Sequence, residues 1–154
     1  MGANEEIKIR KVHTFLDLAV AAIVFAAGVG IYFLLPGWGI LFCLIGILLF
    51  LFYKRAYKCV GERTVLNEKS QDVALECRNG IIHFLDEKAD KLDLPAATEG
   101  DHLYLEAYFN AEKQLAYARL YDVAENRFEP VTEMKQLRGS RAQTLITELG
   151  KNGR

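Results

Sequence analysis

The chain has 154 residues, 51% of them hydrophobic and 25% charged, with a formal net charge of −1. Such averages suit an ordinary small globular domain, yet no Asp, Glu, Lys or Arg stands between Asp17 and Lys54. The partition excludes a uniformly soluble chain, and the near-zero charge, with no basic stripe among the aromatics, argues against nucleic acid as a partner.

Residues 1–14 read as a short polar lead. Glu6 occupies the position where a myristoylation signal needs Ser or Thr. From Leu18 to Leu35 the sequence LAVAAIVFAAGVGIYFLL is apolar on every face, which fits lipid or a very large core. The remaining residues are too few to wrap such a core. Phe15 to Leu35 is long enough, at about 1.5 Å per residue, to cross a hydrocarbon layer of about 30 Å. It is also too long for the apolar core of a cleaved signal peptide.

Pro36-Gly37-Trp38-Gly39 then predicts a turn, with Trp38 suited to a membrane interface. Ile40 to Tyr53 is again uniformly apolar, and counting from Trp38 it is slightly short of the usual span of about 17 to 25 residues. Residues 15–53 are therefore expected to form a two-helix transmembrane hairpin, with Lys54 and Arg55 snorkelling at its end. Lys8, Arg10 and Lys11 precede it, Lys54, Arg55, Lys58 and Arg63 follow it, and the connecting turn is uncharged. By the positive-inside rule both termini are expected on the cytoplasmic side of a multi-pass membrane protein. Cys59 and Cys77 show no metal-ligand spacing, in keeping with reduced cytosolic thiols.

Small residues recur within the hairpin. Ala22, Ala26 and Gly30 fall on one face of the first span, and Gly39, Cys43 and Gly46 on one face of the second. Such strips let helices approach closely, so the two are expected to pack on each other; the alternative is a homo-oligomer assembled through them. Antiparallel ranging also brings Asp17 near Arg55, where an ion pair serves both charges.

Residues 54–154 read as a β-rich domain with a C-terminal helix. Thr64–Asn67, Asp72–Cys77 and Ile81–Leu85 are short β-rich runs, the last two separated by Asn79-Gly80, a hairpin signal. Asp86 to Leu94 suggests a short solvated helix or loop, and its Asp residues lack the ligand pattern of a calcium site.

His102–Asn110 and Gln114–Asp122 both alternate. A two- or four-residue loop pairs Tyr108 with Tyr117, Glu106 with Arg119 and Tyr104 with Tyr121; a three-residue loop sets the tyrosines against Ala116, Ala118 and Leu120 instead. The face carrying Tyr104, Glu106, Tyr108, Tyr117, Arg119 and Tyr121 is either a partner-binding surface or plain cross-strand pairing on the wetter side of a sheet. Arg127–Thr132 reads as an edge strand because Pro130 cannot donate to a ladder. Ser140 is expected to cap a helix whose Leu145, Ile146 and Leu149 form an apolar stripe ended by Gly150.

Charge along this part is uneven. Residues 54–67 hold four basic and one acidic, 68–133 seven basic and fifteen acidic, and 134–154 five basic and one acidic. Basic ends around an acidic middle bias the ends toward anionic headgroups. No nucleophile elbow, phosphate-cradling glycine loop or zinc pattern is present, and the three histidines are scattered. No catalytic, cofactor or metal residues are expected.

The expected fold class is a membrane α-helical hairpin of two transmembrane helices, joined to a small α+β domain with an antiparallel β-rich sheet or barrel and one C-terminal helix. A hairpin over Phe15–Tyr53, short strands through about Thr132 and a helix from Ser140 resembles bacterial two-span proteins with a pleckstrin-homology-like domain, which implies lipid or protein contact. The order of hairpin then β domain is also similar to the two-span effectors of bacterial cyclic-oligonucleotide defence systems, which implies nucleotide sensing and membrane disruption. The function expected is a membrane-anchored interaction or scaffolding module, with the bilayer and a protein partner or second copy as its contacts. The ligand-gated effector is the alternative.

Overall fold

The computed structural model describes residues 7–97, 100–125 and 127–151. It divides into two compact units, one of Arg10–Lys58 and the other built from Cys59 onward together with Ile7, Lys8 and Ile9.

The first unit is a helical hairpin. Helix α1 (Phe15–Tyr32) opens on a capping box: the Thr14 hydroxyl accepts from the Asp17 amide, and the Asp17 carboxylate accepts from the Thr14 amide. Pro36 opens α2 (Pro36–Phe52), where its missing N–H costs nothing. Helix α1 has 18 residues and is long and apolar enough to cross a membrane; α2, with 17, is a shorter apolar helix. The helical part of the first span thus stops at Tyr32, three residues before Leu35. Strands β1 (Ile9–Val12) and β2 (Ala56–Cys59) lead into and out of the hairpin and are hydrogen-bonded neighbours.

The second unit is α+β. Its strands are β3 (Val65–Glu68), β4 (Gln71–Val73), β5 (His102–Asn110), β6 (Leu115–Ala124), β7 (Arg127–Pro130) and β8 (Lys135–Arg138). All pair antiparallel. β3 and β4 lie along one side of β5, β6 along its other side, and β7 and β8 follow one another along the far side of β6. β7 ends the strand order, the edge position that Pro130 requires.

Helices α3 (Arg78–Leu85) and α4 (Ser140–Lys151) pack against one sheet face. Alternation along β5 and β6 puts Leu103, Leu105, Ala107, Ala116, Ala118 and Leu120 on that face, and all are buried. Ile81, Phe84 and Leu85 from α3 meet Ala142, Leu145 and Leu149 from α4 over them. The small Ala107, Ala116 and Ala118 leave room for the helices to lie close.

Residues 78–85 correct the sequence reading. Ile81, Phe84 and Leu85 recur at i, i+3 and i+4, and burying that stripe selects a helix over the hairpin suggested by Asn79-Gly80. The strand expected over Asp72–Cys77 shortens to β4, followed by a 3-10 turn at Leu75–Cys77. Beyond α3 the chain is irregular, with Leu92 and Leu94 turned into the core.

α4 departs from expectation at both ends. The Gly139 carbonyl accepts the first helical bond, from the Gln143 amide, so Ser140 is inside the helix rather than its cap. Gly150 lies within the helix, not beyond it. The fully buried positions are Ala142, Leu145 and Leu149, while Ile146 is half-buried.

Candidate functional site

The β5–β6 hairpin organises the candidate surface. Its loop, Ala111–Gln114, has four residues and ends on Gln114 at φ +46°. This sets the register Tyr104↔Tyr121, Glu106↔Arg119 and Tyr108↔Tyr117, the even-loop alternative of the two read from the sequence. The six side chains share the face opposite α3 and α4.

That face is not uniformly wet. At the loop end Tyr108 and Tyr117 are buried. The Tyr117 hydroxyl accepts from Gln136 Nε2 at 2.9 Å and lies against Glu62 and Cys59. Burial first, then the Glu62 hydrogen bond and the neighbouring thiol, push the Tyr117 phenol far above its ordinary range. Tyr108 and Tyr117 are therefore interior residues, a correction to any reading of the whole tyrosine row as contact surface.

At the other end the face stays half-open. Glu106 gathers the polar groups: Oε1 accepts from the Tyr108 hydroxyl at 2.7 Å, and Oε2 accepts from Arg119 Nε at 3.2 Å, Arg119 Nη2 at 3.0 Å and the Tyr121 hydroxyl at 3.2 Å. The Arg119 guanidinium lies 4.8 Å from the Tyr121 ring centroid. Burial, then the Glu106 charge, raise the Tyr121 phenol.

Sequence reasoning missed Phe128. β7 pairs Phe128 with Val123, placing its ring 5.6 Å from that of Tyr104 and 6.3 Å from that of Tyr121, both edge-on. Phe128 is 59% exposed. The signal available in advance was the parity of the β6–β7 register, which puts Phe128 on the tyrosine side once Val123 is known to lie there. Tyr104, Tyr121 and Phe128, backed by the Glu106–Arg119 pair, make a rigid, half-exposed aromatic platform. Large rings held by a half-buried ion pair offer contact area at little entropic cost.

In the hairpin unit the small-residue strips divide. Gly39 and Gly46 are buried against α1, and Cys43 Sγ lies 3.8 Å from the Phe25 carbonyl. A Cβ on Gly39 would overlap the Tyr32 backbone, and one on Gly46 would stand 2.9 Å from Phe25 Cβ. The facing strip of α1 is made by Ala21, Phe25, Gly28 and Tyr32 instead of Ala22, Ala26 and Gly30, which are exposed. Both strips run at helical i+3/i+4 spacings, and the choice is rotational: the face that carries Asp17 carries Ala21 and Gly28 too, and it turns inward.

Among the described residues, no group of three His, Cys, Asp or Glu side chains could hold a metal ion. Burial, then Asp93 and Glu76, raise the Cys77 thiol, which works against a reactive thiolate. Compared with family models, curated proteins and solved structures, the chain matches none.

Proposed function

We propose that this chain is a membrane protein whose helical hairpin crosses the bilayer twice, with both termini cytoplasmic, and whose β-rich unit recruits a protein partner through the Tyr104–Tyr121–Phe128 platform. The observation that carries the membrane reading is the distribution of apolar surface. Helices α1 and α2 bury only Asp17, Ala21, Gly28, Gly39 and Gly46 within the hairpin, while Phe33, Leu34, Leu44, Phe50 and many other large apolar side chains point outward. Exposed apolar surface of that extent in water marks a lipid or protein contact, and apolarity all round both helices favours lipid.

The foot of the hairpin suits a membrane boundary. His13 Nδ1 lies 3.0 Å from the Tyr53 carbonyl, His13 stacks on Phe50, and Arg55 lies over the Tyr53 ring. Aromatic and basic residues of this kind anchor spans at the interface. The 17 residues of α2 suffice with modest thinning or snorkelling.

The platform supports the recruitment reading because it is preorganised and partly exposed on an edge of the sheet. A photo-cross-linking residue at Phe128, in the full chain expressed in cells, is expected to yield an adduct with a distinct protein, lost on Arg119→Ala. Adducts only with the chain itself would replace a partner by self-association.

A further inference from the structure

We infer that the unit beyond Cys59 carries a site for a phosphate-bearing lipid headgroup, in a cleft where the lead into β3, the β5–β6 loop and the β8–α4 corner meet. This rests on the membrane reading above and adds a ligand to it. Arg63, Lys113 and Arg138, one cation from each of these segments, line the cleft, whose volume is about 350 Å³. Gathering three cations costs Coulomb energy that a bound anion would offset.

Glu62 is the acid in the lining. Its Oε1 accepts from Gln136 Nε2 at 3.3 Å and Arg138 Nη2 at 3.5 Å, so it engages one guanidinium and leaves the lining with an excess of two positive charges. Lys113 Nζ donates to the buried Thr64 hydroxyl at 3.0 Å, a neutral partner that positions the ammonium without cancelling its charge. The Arg138 side chain is 70% exposed, and Arg63 is exposed as well, which leaves both reachable. Helix α4 begins at Ser140, directly after the lining residue Gly139, so the positive end of its dipole opens at this rim and adds to the field.

The lipid source follows from the chain itself. Arg63 comes from the basic segment 54–67 and Arg138 from the basic segment 134–154, and the fold brings these two into one cleft. Phe52 ends α2 and Arg63 follows 11 residues later, so a short stretch of chain tethers the cleft to the hairpin. Tethering at a bilayer presents anionic headgroups at a high effective concentration, whereas a free phosphate gains nothing from it.

The test uses the full chain in nonionic detergent, observed by native mass spectrometry and titrated in turn with dioctanoyl phosphatidic acid, dioctanoyl phosphatidylcholine and inorganic phosphate. A saturable phosphatidic acid adduct is expected, with the other two at least about tenfold weaker. Lys113→Gln/Arg138→Gln should weaken it about tenfold or more, and Arg63→Gln, which serves if the double variant loses its circular dichroism, by several-fold. Arg127→Gln, an exposed cation outside the cleft, should leave it unchanged. Unaltered affinity in the cleft variants would overturn the site, and inorganic phosphate binding as tightly as the lipid would overturn the headgroup assignment. Alkaline extraction of the same membranes separates the two readings: a chain retained in the pellet that binds no phosphatidic acid removes the site alone, and a chain released to the supernatant removes the membrane reading.

Discussion

Asp17 and Arg55 close the base of the hairpin: Asp17 Oδ1 lies 3.6 Å from Arg55 Nε, and Oδ2 accepts from the Arg55 amide at 3.4 Å and from the Thr14 amide at 3.0 Å. The Asp17 side chain is 1% exposed, the Arg55 side chain 56%. One residue thus starts α1 and fastens it to the exit of α2. Asp17→Ala removes the carboxylate half of the capping box and the ion pair together and should destabilise the hairpin by about 1–3 kcal/mol. Arg55→Gln, which removes only a solvent-screened partner, should cost about 0.5 kcal/mol. Thermal unfolding of the detergent-solubilised variants measures both.

The glycines of the hairpin should separate by facing. Gly39→Ala and Gly46→Ala force α1 and α2 apart and should each destabilise their packing by about 1–3 kcal/mol, the range for overpacked cores. Gly30→Ala has open space around its Cβ and should be neutral or slightly stabilising through helix propensity. Resistance of the hairpin to increasing denaturing detergent reads the difference.

Arg141 ties α4 to the end of α3. Its Nη1 donates to the Phe84 and Ala89 carbonyls at 3.2 and 3.0 Å, and Nη2 to the Glu87 carbonyl and Asp90 Oδ1 at 3.1 and 2.9 Å. Glu87, at φ +61°, sits in the turn so held. Arg141→Lys keeps the charge but not the fork, and should lower stability by about 1–3 kcal/mol in urea unfolding.

Two titrations act at opposite ends of the pH scale. The hydrogen bond and charge of Lys135, with Nζ 3.1 Å from Asp86 Oδ1, hold the Asp86 carboxyl below its usual value. A lowered folded pKa gives stability that is present above the ordinary carboxylate value and lost as pH falls below it. Lys135→Gln should therefore flatten the acid-side fall of stability between about pH 4 and 2. Tyr117 and Tyr121 are raised, so their contribution is complete below the ordinary phenol value and lost as pH climbs above it. Tyr117→Phe should weaken the alkaline fall that begins near pH 10. Urea midpoints across the pH range test both.

What could be read from the sequence was whatever one pattern decided alone. Alternation in His102–Asn110 and Gln114–Asp122 set the hairpin and, with an even loop, its pairing. The charge gap from Leu18 to Tyr53 delimited the two apolar helices, and the Asp17–Arg55 pair followed from ranging them antiparallel. Reading failed where two local signals competed. At Asn79-Gly80 the turn dipeptide spoke for a hairpin while the spacing of Ile81, Phe84 and Leu85 spoke for a helix, and burial against α4 settled it. β1, β2 and β8 were missed because four-residue strands carry almost no period. The tyrosine row looked uniform because alternation names a face without saying what covers it, and Cys59, Glu62 and Gln136 close only the Tyr117 end.

In the proposed topology the hairpin crosses a membrane and the β-rich unit lies in the cytoplasm. Cys59 is buried and Cys77 has a raised thiol, so the native cysteines should be replaced and single cysteines introduced by Gly37→Cys, in the first turn of α2 with open space around it, and Glu129→Cys, on the exposed β7 edge. An impermeant maleimide is then applied to sealed, right-side-out cells and to the same cells permeabilised. On that topology Gly37→Cys labels from outside and Glu129→Cys only after permeabilisation. Labelling of Glu129→Cys in sealed cells, or shielding of both sites until permeabilisation, would rule that topology out.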